Sequence, residues 1–221
     1  MATKSWQLGA PGTFIYGLYD ALRRRLNAKL VTYLLKHGIN QSENSVVLEA
    51  GSGPAFASSI LSRAPRVNVS IAVDLDLEAL LEARRRDPAL VLVVADLCNL
   101  PFRDESLDLV WNSSTVEHVP DLLCALTEMA RVTRTGGRVF VGVPNAHGPL
   151  GFQRWIANTG VGIWIGTVFT CAELERWLQR AGLNRVDALC YFFRFFIGIL
   201  AEKPCDNFSF PYHKNPKRVG E

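Results

Sequence analysis

No two cysteines of this chain stand in a CxxC, and its four histidines, His37, His118, His147 and His213, lie far apart without ligand spacing. A zinc or iron–sulfur framework is therefore not expected, and no metal site is assigned. The five cysteines, Cys98, Cys124, Cys171, Cys190 and Cys205, are odd in number and mostly sit beside apolar residues. Reduced thiols in a cytoplasmic protein are the expectation. The longest apolar stretch, Ala188 to Ala201, is broken by Arg194 and is too short to cross a bilayer. The first residues lack a basic start followed by an apolar run, so no secretory leader is expected. Repeats and low-complexity tracts are absent. The formal charge is only +3, and the basic runs are scattered: Arg23-Arg24-Arg25, Arg84-Arg85-Arg86, and Lys214, Lys217 and Arg218 near the end. A nucleic-acid binder needs a basic stripe on one face, so these read as solvated helix faces and a tail.

What is present is an apolar share of 48% in 221 residues, enough for one sizeable core. A single domain over 1–203 is expected, with a polar, proline-containing tail over 204–221. Within the domain, 1–40 reads as a lid and helix and 144–168 as an insertion rich in glycine and aromatics. Leu22, Leu26, Leu30, Tyr33 and Leu34 recur at helical spacing over 16–36, and Gly38 stops that helix. Apolar runs mark strands at 45–50, 68–74, 90–95, 107–112 and 138–143. The third is expected to be covered on both faces. Helices fill the gaps. In the helix over 76–86, Leu77, Leu80 and Leu81 form one side and arginines the other. The helix over 120–132 ends at a turn, Thr135-Gly136-Gly137. Thr170 and Glu173 spell a capping box that opens a further helix. Two last strands, over 184–191 and 195–203, are close enough to form a hairpin. Strand–helix alternation with a terminal hairpin implies an α/β parallel sheet with an antiparallel edge.

The most informative segment is Val46-Val47-Leu48-Glu49-Ala50-Gly51-Ser52-Gly53-Pro54-Ala55. A buried strand ends at a carboxylate and breaks into a glycine turn, where a ligand can approach the main chain closely. Glu49, Asp74 and Asp96 fall at the C-terminal ends of successive strands, the edge where open parallel sheets bind ligands. Asp74 is placed to accept both hydroxyls of a ribose, and Asp96 an exocyclic amine of adenine. Leu75 and Leu97 flank them and would sandwich the ring. Asn112 and Ser113, after the fourth strand, can face a ligand ammonium. The set suits an adenosine carrying an amino group and a positive charge better than a pyrophosphate.

In their order the motifs resemble a class I S-adenosylmethionine-dependent methyltransferase of the small-molecule type related to ubiquinone-biosynthesis methylases. The resemblance runs from about Val46 to Pro204. It rests on Leu48–Gly53, Val73-Asp74-Leu75, Ala95-Asp96-Leu97 with Leu100-Pro101-Phe102, Ser106–Val110 leading to Glu117-His118-Val119, Arg131-Val132 with Gly136-Gly137, and Phe169-Thr170 with Ala181-Gly182-Leu183. It implies a Rossmann-like, doubly wound, seven-stranded sheet of order 3-2-1-4-5-7-6 with strand seven antiparallel, preceded by an N-terminal helical lid. It also implies S-adenosylmethionine as cofactor, with Gly51, Ser52 and Gly53 beside its methionine part, Asp74 on the ribose and Asp96-Leu97 on the adenine. The chain departs from the family in two places. Ala55 replaces a third glycine, and the connection between strands three and four shrinks to a loop.

Methyl transfer to a hydroxyl or a protonated amine gains from a base, and Glu117, His118 and His147 are the candidates. For His118 the alternative is a helix cap or a contact to the cofactor; for His147 it is a surface loop. The acceptor is expected to be a small molecule, apolar or aromatic. Phe14–Tyr19 and the insertion with Phe152, Trp155, Trp164 and Phe169 would cover it, or else simply pack on the sheet. The atom methylated, O, N or C, stays open, and a homo-oligomer is compatible with the chain. Asn112-Ser113-Ser114-Thr115 stands where DNA amino-methyltransferases carry Asn/Asp-Pro-Pro-aromatic, which disfavours that class. A nicotinamide oxidoreductase would need the third glycine and a Tyr-x-x-x-Lys. A methyltransferase-like scaffold without catalysis is the remaining alternative.

Overall fold

The computed structural model describes residues 25–39, 44–149, 151 and 166–205. The expected lid at Phe14–Tyr19, the insertion aromatics Phe152, Trp155 and Trp164, and most of the tail lie outside the described residues.

The sequence order of elements is α1 (25–33), β1 (Ser45–Ala50), α2 (Phe56–Leu61), β2 (Val67–Asp74), α3 (Leu77–Arg86), β3 (Val91–Val94), β4 (Leu107–Ser113), a 3-10 turn (Val116–His118), α4 (Leu122–Val132), β5 (Thr133–Pro144), α5 (Cys171–Arg180), β6 (Asn184–Tyr191) and β7 (Phe196–Glu202). The seven strands form one sheet of order β3-β2-β1-β4-β5-β7-β6. β1 pairs in parallel with β2 and β4, β2 with β3, and β4 with β5, whereas β7 is antiparallel to both β5 and β6. The terminal hairpin and the order expected from the resemblance are both present.

Alternation along the central strands divides the core into two layers. Leu48, Val110, Val139 and Val141 bury against Leu126 and Met129 of α4 and Leu174 and Leu178 of α5. Val47, Leu109, Trp111 and Phe140 bury against Leu30, Val31 and Leu34 of the first helix and Ala57 and Leu61 of α2. A period of two on each strand thus serves two covers at once. The helix ends follow sequence chemistry. Asp76 caps α3 by accepting from Glu78 N and Ala79 N. Asp121 caps α4 through Cys124 N. Thr170 and Glu173 make the expected reciprocal box at α5.

Several expectations need correction. The first helix does not end in a plain glycine stop: Leu34–Gly38 widens into a π turn closed by Ile39 N donating to Leu34 O at 3.1 Å. β3 is not covered on both faces. It is the sheet edge, where Val91 and Val94 are exposed. In α3 the buried face is Ala79, Leu80 and Ala83, while Leu77 and Leu81 face solvent. The small alanines allow close approach to the sheet, so the leucine spacing misdirected the reading. Thr135-Gly136-Gly137 is not a turn between elements but a bulge within β5. Thr133 pairs with Leu107 and Arg138 with Leu109, so residues 134–137 stand opposite a single residue, Asp108. Asp108 fills that gap by bonding Arg134 Nη1 at 2.6 Å and Val46 N at 2.7 Å.

The reduced connection between β3 and β4 is held by side chains of α4, among them Glu128, which accepts from Leu100 N at 3.0 Å. Arg131 of α4 donates to the carbonyls of Leu100 and Phe102, and pairs with Glu128 at 2.7 Å and Asp104 at 2.6 Å. A loop with no helix of its own is thereby fixed to α4 by charge-assisted bonds.

Candidate functional site: the crevice at the C-terminal sheet edge

β1 leaves the sheet through a left-handed turn, with Gly51 at φ +76°, Gly53 at +51° and Ala55 at +51°. Gly51 N and Ser52 N donate to Val73 O at 2.8 and 2.9 Å, which binds the turn to β2. Thr115, after β4, lies against the other side and donates to Gly51 O at 2.9 Å. A Cβ on Gly51 would meet Thr115 Cγ2 at 2.3 Å. Gly51→Ala is therefore expected to destabilise the fold by about 2 kcal/mol or more, the left-handed penalty plus the clash. A lower denaturant midpoint would show it. By contrast, a Cβ on Gly53 would meet nothing within 4 Å, so the turn faces open space there.

Ala55, at the position of the missing third glycine, is fully buried and packs with Ala72, Ala83 and Leu90. Ala55→Gly would relieve about 1–2 kcal/mol of left-handed strain but lose a buried methyl worth about 0.8 kcal/mol and stiffening of the unfolded chain. The denaturant midpoint should shift by less than about 1 kcal/mol equivalent, which explains why alanine is tolerated.

The acids of the crevice divide into two kinds. Glu49 is buried and accepts from Ser58 N at 3.0 Å and from the Ser58 hydroxyl, fastening the start of α2 to β1. Asp74 is half-buried. Its Oδ2 accepts from Gly53 N at 2.6 Å and its Oδ1 from Asp76 N at 2.9 Å, so it shapes the turn and the entry to α3 together. Asp96 is exposed and accepts from Cys98 N at 2.9 Å. The two leucines expected to flank a ring differ: Leu75 is 67% exposed beside Asp74, whereas Leu97, 5% exposed, is turned into the core.

The residues after β4 are also split. Asn112 is wholly buried. Its amide donates to Ala50 O and its Oδ1 accepts from Val116 N at 3.3 Å, so its side chain ties β4 to β1. The Ser113 hydroxyl meets the Tyr191 hydroxyl at 2.8 Å. The ring of Tyr191 reaches this point because Gly142 has no side chain; a Cβ there would lie 2.0 Å from the phenol oxygen.

Glu117 is the most unusual group in the region. Its side chain is buried, Oε1 accepts from the Ser114 hydroxyl at 2.9 Å, and Oε2 has no hydrogen-bond partner among the described residues. Burial pushes its carboxyl up to about 7, against the hydrogen bonds that pull it down. Glu117 borders a cleft of about 550 Å³ whose walls include Val119, Pro120, Thr167, Phe169 and Trp177. His118 is half-exposed, and desolvation holds its imidazole below the ordinary histidine range. Gly166 crosses both side chains so closely that a Cβ would lie 2.8 Å from His118 and 2.9 Å from Glu117. His147 is exposed in the turn after β5, with its main-chain N bound to Asn145 Oδ1 at 2.9 Å. The structure thus brings Glu117 and His118 together and leaves His147 apart from both.

Three contributors carried no signal in the sequence. Thr115 sits against the glycine turn. Tyr191 arrives from a strand 78 residues away from Ser113. Arg86, read as part of a solvated arginine face, donates to Pro54 O and lies 3.9 Å over the ring of Phe56.

A doubly wound sheet of this order, with an acid at the end of β2 accepting from a left-handed glycine turn, is the fold of the class I S-adenosylmethionine-dependent methyltransferases. S-adenosylmethionine is the cofactor of that class. Residues 48–141 match the family model described as a methyltransferase domain. The chain is 35% identical over 124 residues to the malonyl-acyl-carrier-protein O-methyltransferase of Erwinia billingiae, covering 56% of this chain and 47% of that protein. It is 36% identical over 104 residues to the demethylmenaquinone methyltransferase of Beutenbergia cavernae, covering 47% and 42% respectively. It therefore spans less than half the length of either relative. The magnesium protoporphyrin IX methyltransferase of Synechocystis, solved with S-adenosylhomocysteine, superposes with a TM-score of 0.68 at 15% identity, covering 88% of this chain and 89% of that one, a likeness of fold.

The residues present fit such a cofactor. A half-buried carboxylate, an exposed leucine beside it and a glycine with open space over its Cα lie along one edge of the sheet. No described helix is long and apolar enough to cross a membrane.

Proposed function

We propose that this chain transfers the methyl group of S-adenosylmethionine to a small, largely apolar acceptor bearing a hydroxyl or an amine. The observation that carries this reading is the buried carboxyl of Glu117, with Oε2 unpaired among the described residues, at the border of a cleft walled in part by Val119, Phe169 and Trp177. Asp74 holds the ribose hydroxyls, Leu75 supports the adenine, and Asp96 takes its amine. Gly51, Ser52 and Gly53 lie along the methionine part. Glu49 and Asn112 act from behind, through Ser58 and through Ala50.

The bound cofactor supplies an electrophilic methyl on sulfur, so the protein has chiefly to position the acceptor, exclude water and manage one proton. Val119, Phe169 and Trp177 provide apolar walls. Glu117 Oε2 accepts the acceptor's proton as its oxygen or nitrogen bonds to the methyl carbon. A carboxyl titrating near neutrality suits that role, because it is substantially ionised yet still basic. His118, held neutral, contributes at most a hydrogen bond, and His147 is assigned no role in the transfer.

Calorimetric titration with S-adenosylmethionine, S-adenosylhomocysteine and NADPH in parallel tests the reading. Micromolar binding of the first two and none of the third is expected. A screen of hydroxyl and amine acceptors with labelled methyl groups then follows. A folded chain that binds no adenosyl ligand would sink the proposal and favour a scaffold.

A further inference from the structure

Cys98 and Cys124 are 26 residues apart in sequence yet meet in space. Cys98 lies in the turn after β3, immediately beyond Asp96 and Leu97, and Cys124 lies in the first turn of α4. The Cys98 thiol donates to Asp121 O at 3.7 Å and the Cys124 thiol donates to Cys98 O at 3.8 Å, so each reaches the main chain beside the other. The neighbouring Cys124 thiol also helps to hold the proton on Cys98. Both side chains are partly exposed, which admits a small reagent. Beside Arg131 and Glu128, this contact is a further tie between the loop after β3 and α4, in a region whose connection lacks a helix.

We propose that Cys98 and Cys124 form a reversible dithiol–disulfide site, oxidised by low-molecular-weight disulfides, which controls the loop carrying Asp96 and Leu97.

The chemistry balances without a further reagent. The Cys124 thiolate attacks one sulfur of the small disulfide and expels one small thiolate, which takes up the proton that Cys124 lost. The Cys98 sulfur then attacks Cys124 in the mixed disulfide and expels the second. Two protein thiols and one small disulfide become one protein disulfide and two small thiols. Cys124 attacks first because burial, the neighbouring thiol and the carboxylates of Asp96 and Asp121 push the Cys98 thiol up to about 12. Closing the bond replaces hydrogen-bonded spacing by a covalent one. It draws Cys98 toward α4 and takes the adjoining Asp96 with it. The consequence for the cofactor rests on the assignment of Asp96 to adenine made above.

The test uses the full chain, treated with oxidised glutathione and digested without reduction. Mass spectrometry should find the Cys98 and Cys124 peptides linked, with dithiothreitol reversing the link. The bridged chain should bind S-adenosylmethionine about fivefold or more weakly than the reduced chain. Cys98→Ser and Cys124→Ser should show no change in affinity after the same treatment. Glutathione adducts confined to Cys190 or Cys205, with no linked peptide, would overturn the site. A linked chain that binds as tightly as the reduced one would overturn its control of the loop. If the reduced chain fails to bind S-adenosylmethionine, the cofactor assignment falls, while the linked peptide still decides whether the dithiol site exists.

Discussion

Asp74→Ala should weaken S-adenosylmethionine binding at least tenfold, about 1.4 kcal/mol, measured by calorimetry on the folded variant. One carboxylate is here asked to serve two masters. In the protein alone it accepts from Gly53 N and Asp76 N, and in the complex its outward lone pairs take two ribose hydroxyls. Charge-assisted bonds of this kind are worth more than neutral ones, and a lost acceptor leaves donors on both sides unpaired. The variant should also unfold more easily, by about 1–3 kcal/mol, because Gly53 N and Asp76 N lose their partner. Asp74→Asn separates the two effects. Its amide oxygen can still accept from one main-chain donor, so stability should largely return while affinity stays low. Unchanged affinity in a folded Asp74→Ala chain would refute the ribose assignment.

Glu117→Gln should lower turnover by about a hundredfold while leaving cofactor affinity nearly unchanged, since one proton acceptor is lost and no cofactor contact. Wild-type kcat/KM should rise with pH up to about 7 and then level, and the variant should lose that inflection. The same substitution should make the protein more stable at neutral pH. The folded carboxyl titrates near 7 rather than 4.5, so the folded state holds its proton where the unfolded chain has released it. Stability must then fall as pH rises from about 4.5 to about 7 and stay lower above, at a cost of roughly 3 kcal/mol at most. Glutamine has no proton to lose, so the variant should melt several degrees higher than wild type at pH 8. A variant that is as active as wild type, or no more stable at pH 8, would remove Glu117 from its role.

Much of the fold was legible because its signals are local. The apolar strand runs, the helical spacing of Leu22 to Leu34, the Thr170–Glu173 box and the hairpin each lie within a short window of sequence, and the box and the hairpin are present as read. The sheet order followed from the resemblance rather than from any such window. The errors arose where long-range packing outweighs local pattern. Leu77 and Leu81 have the spacing of a buried face, but Ala79 and Ala83 fit the sheet more closely. Val91 to Val94 has the composition of a central strand and lies at the edge. In the crevice, the acids were findable from their place after each strand. That Glu49 faces Ser58 and Asn112 faces Ala50 was not, because residue type does not reveal which side of a turn a side chain takes. The approach of Tyr191 to Ser113 depends on the absence of a side chain at Gly142, a contact between three strands that no single segment records.

The strand order also has a consequence for how the protein is made. Among the described residues β7 is the last strand in sequence, yet it is an interior strand that separates β5 from β6. Until Phe196 to Glu202 has been synthesised, β5 presents an open edge flanked by Val139, Val141 and Val143, and β6 has no neighbour to pair with. A ribosome that stalls before this point leaves a half-built sheet with an apolar edge, the kind of species that recruits chaperones or pairs with another chain. Completion is nevertheless fast once β7 emerges, because β6 and β7 form a local hairpin that can zip first and dock on β5 as a unit.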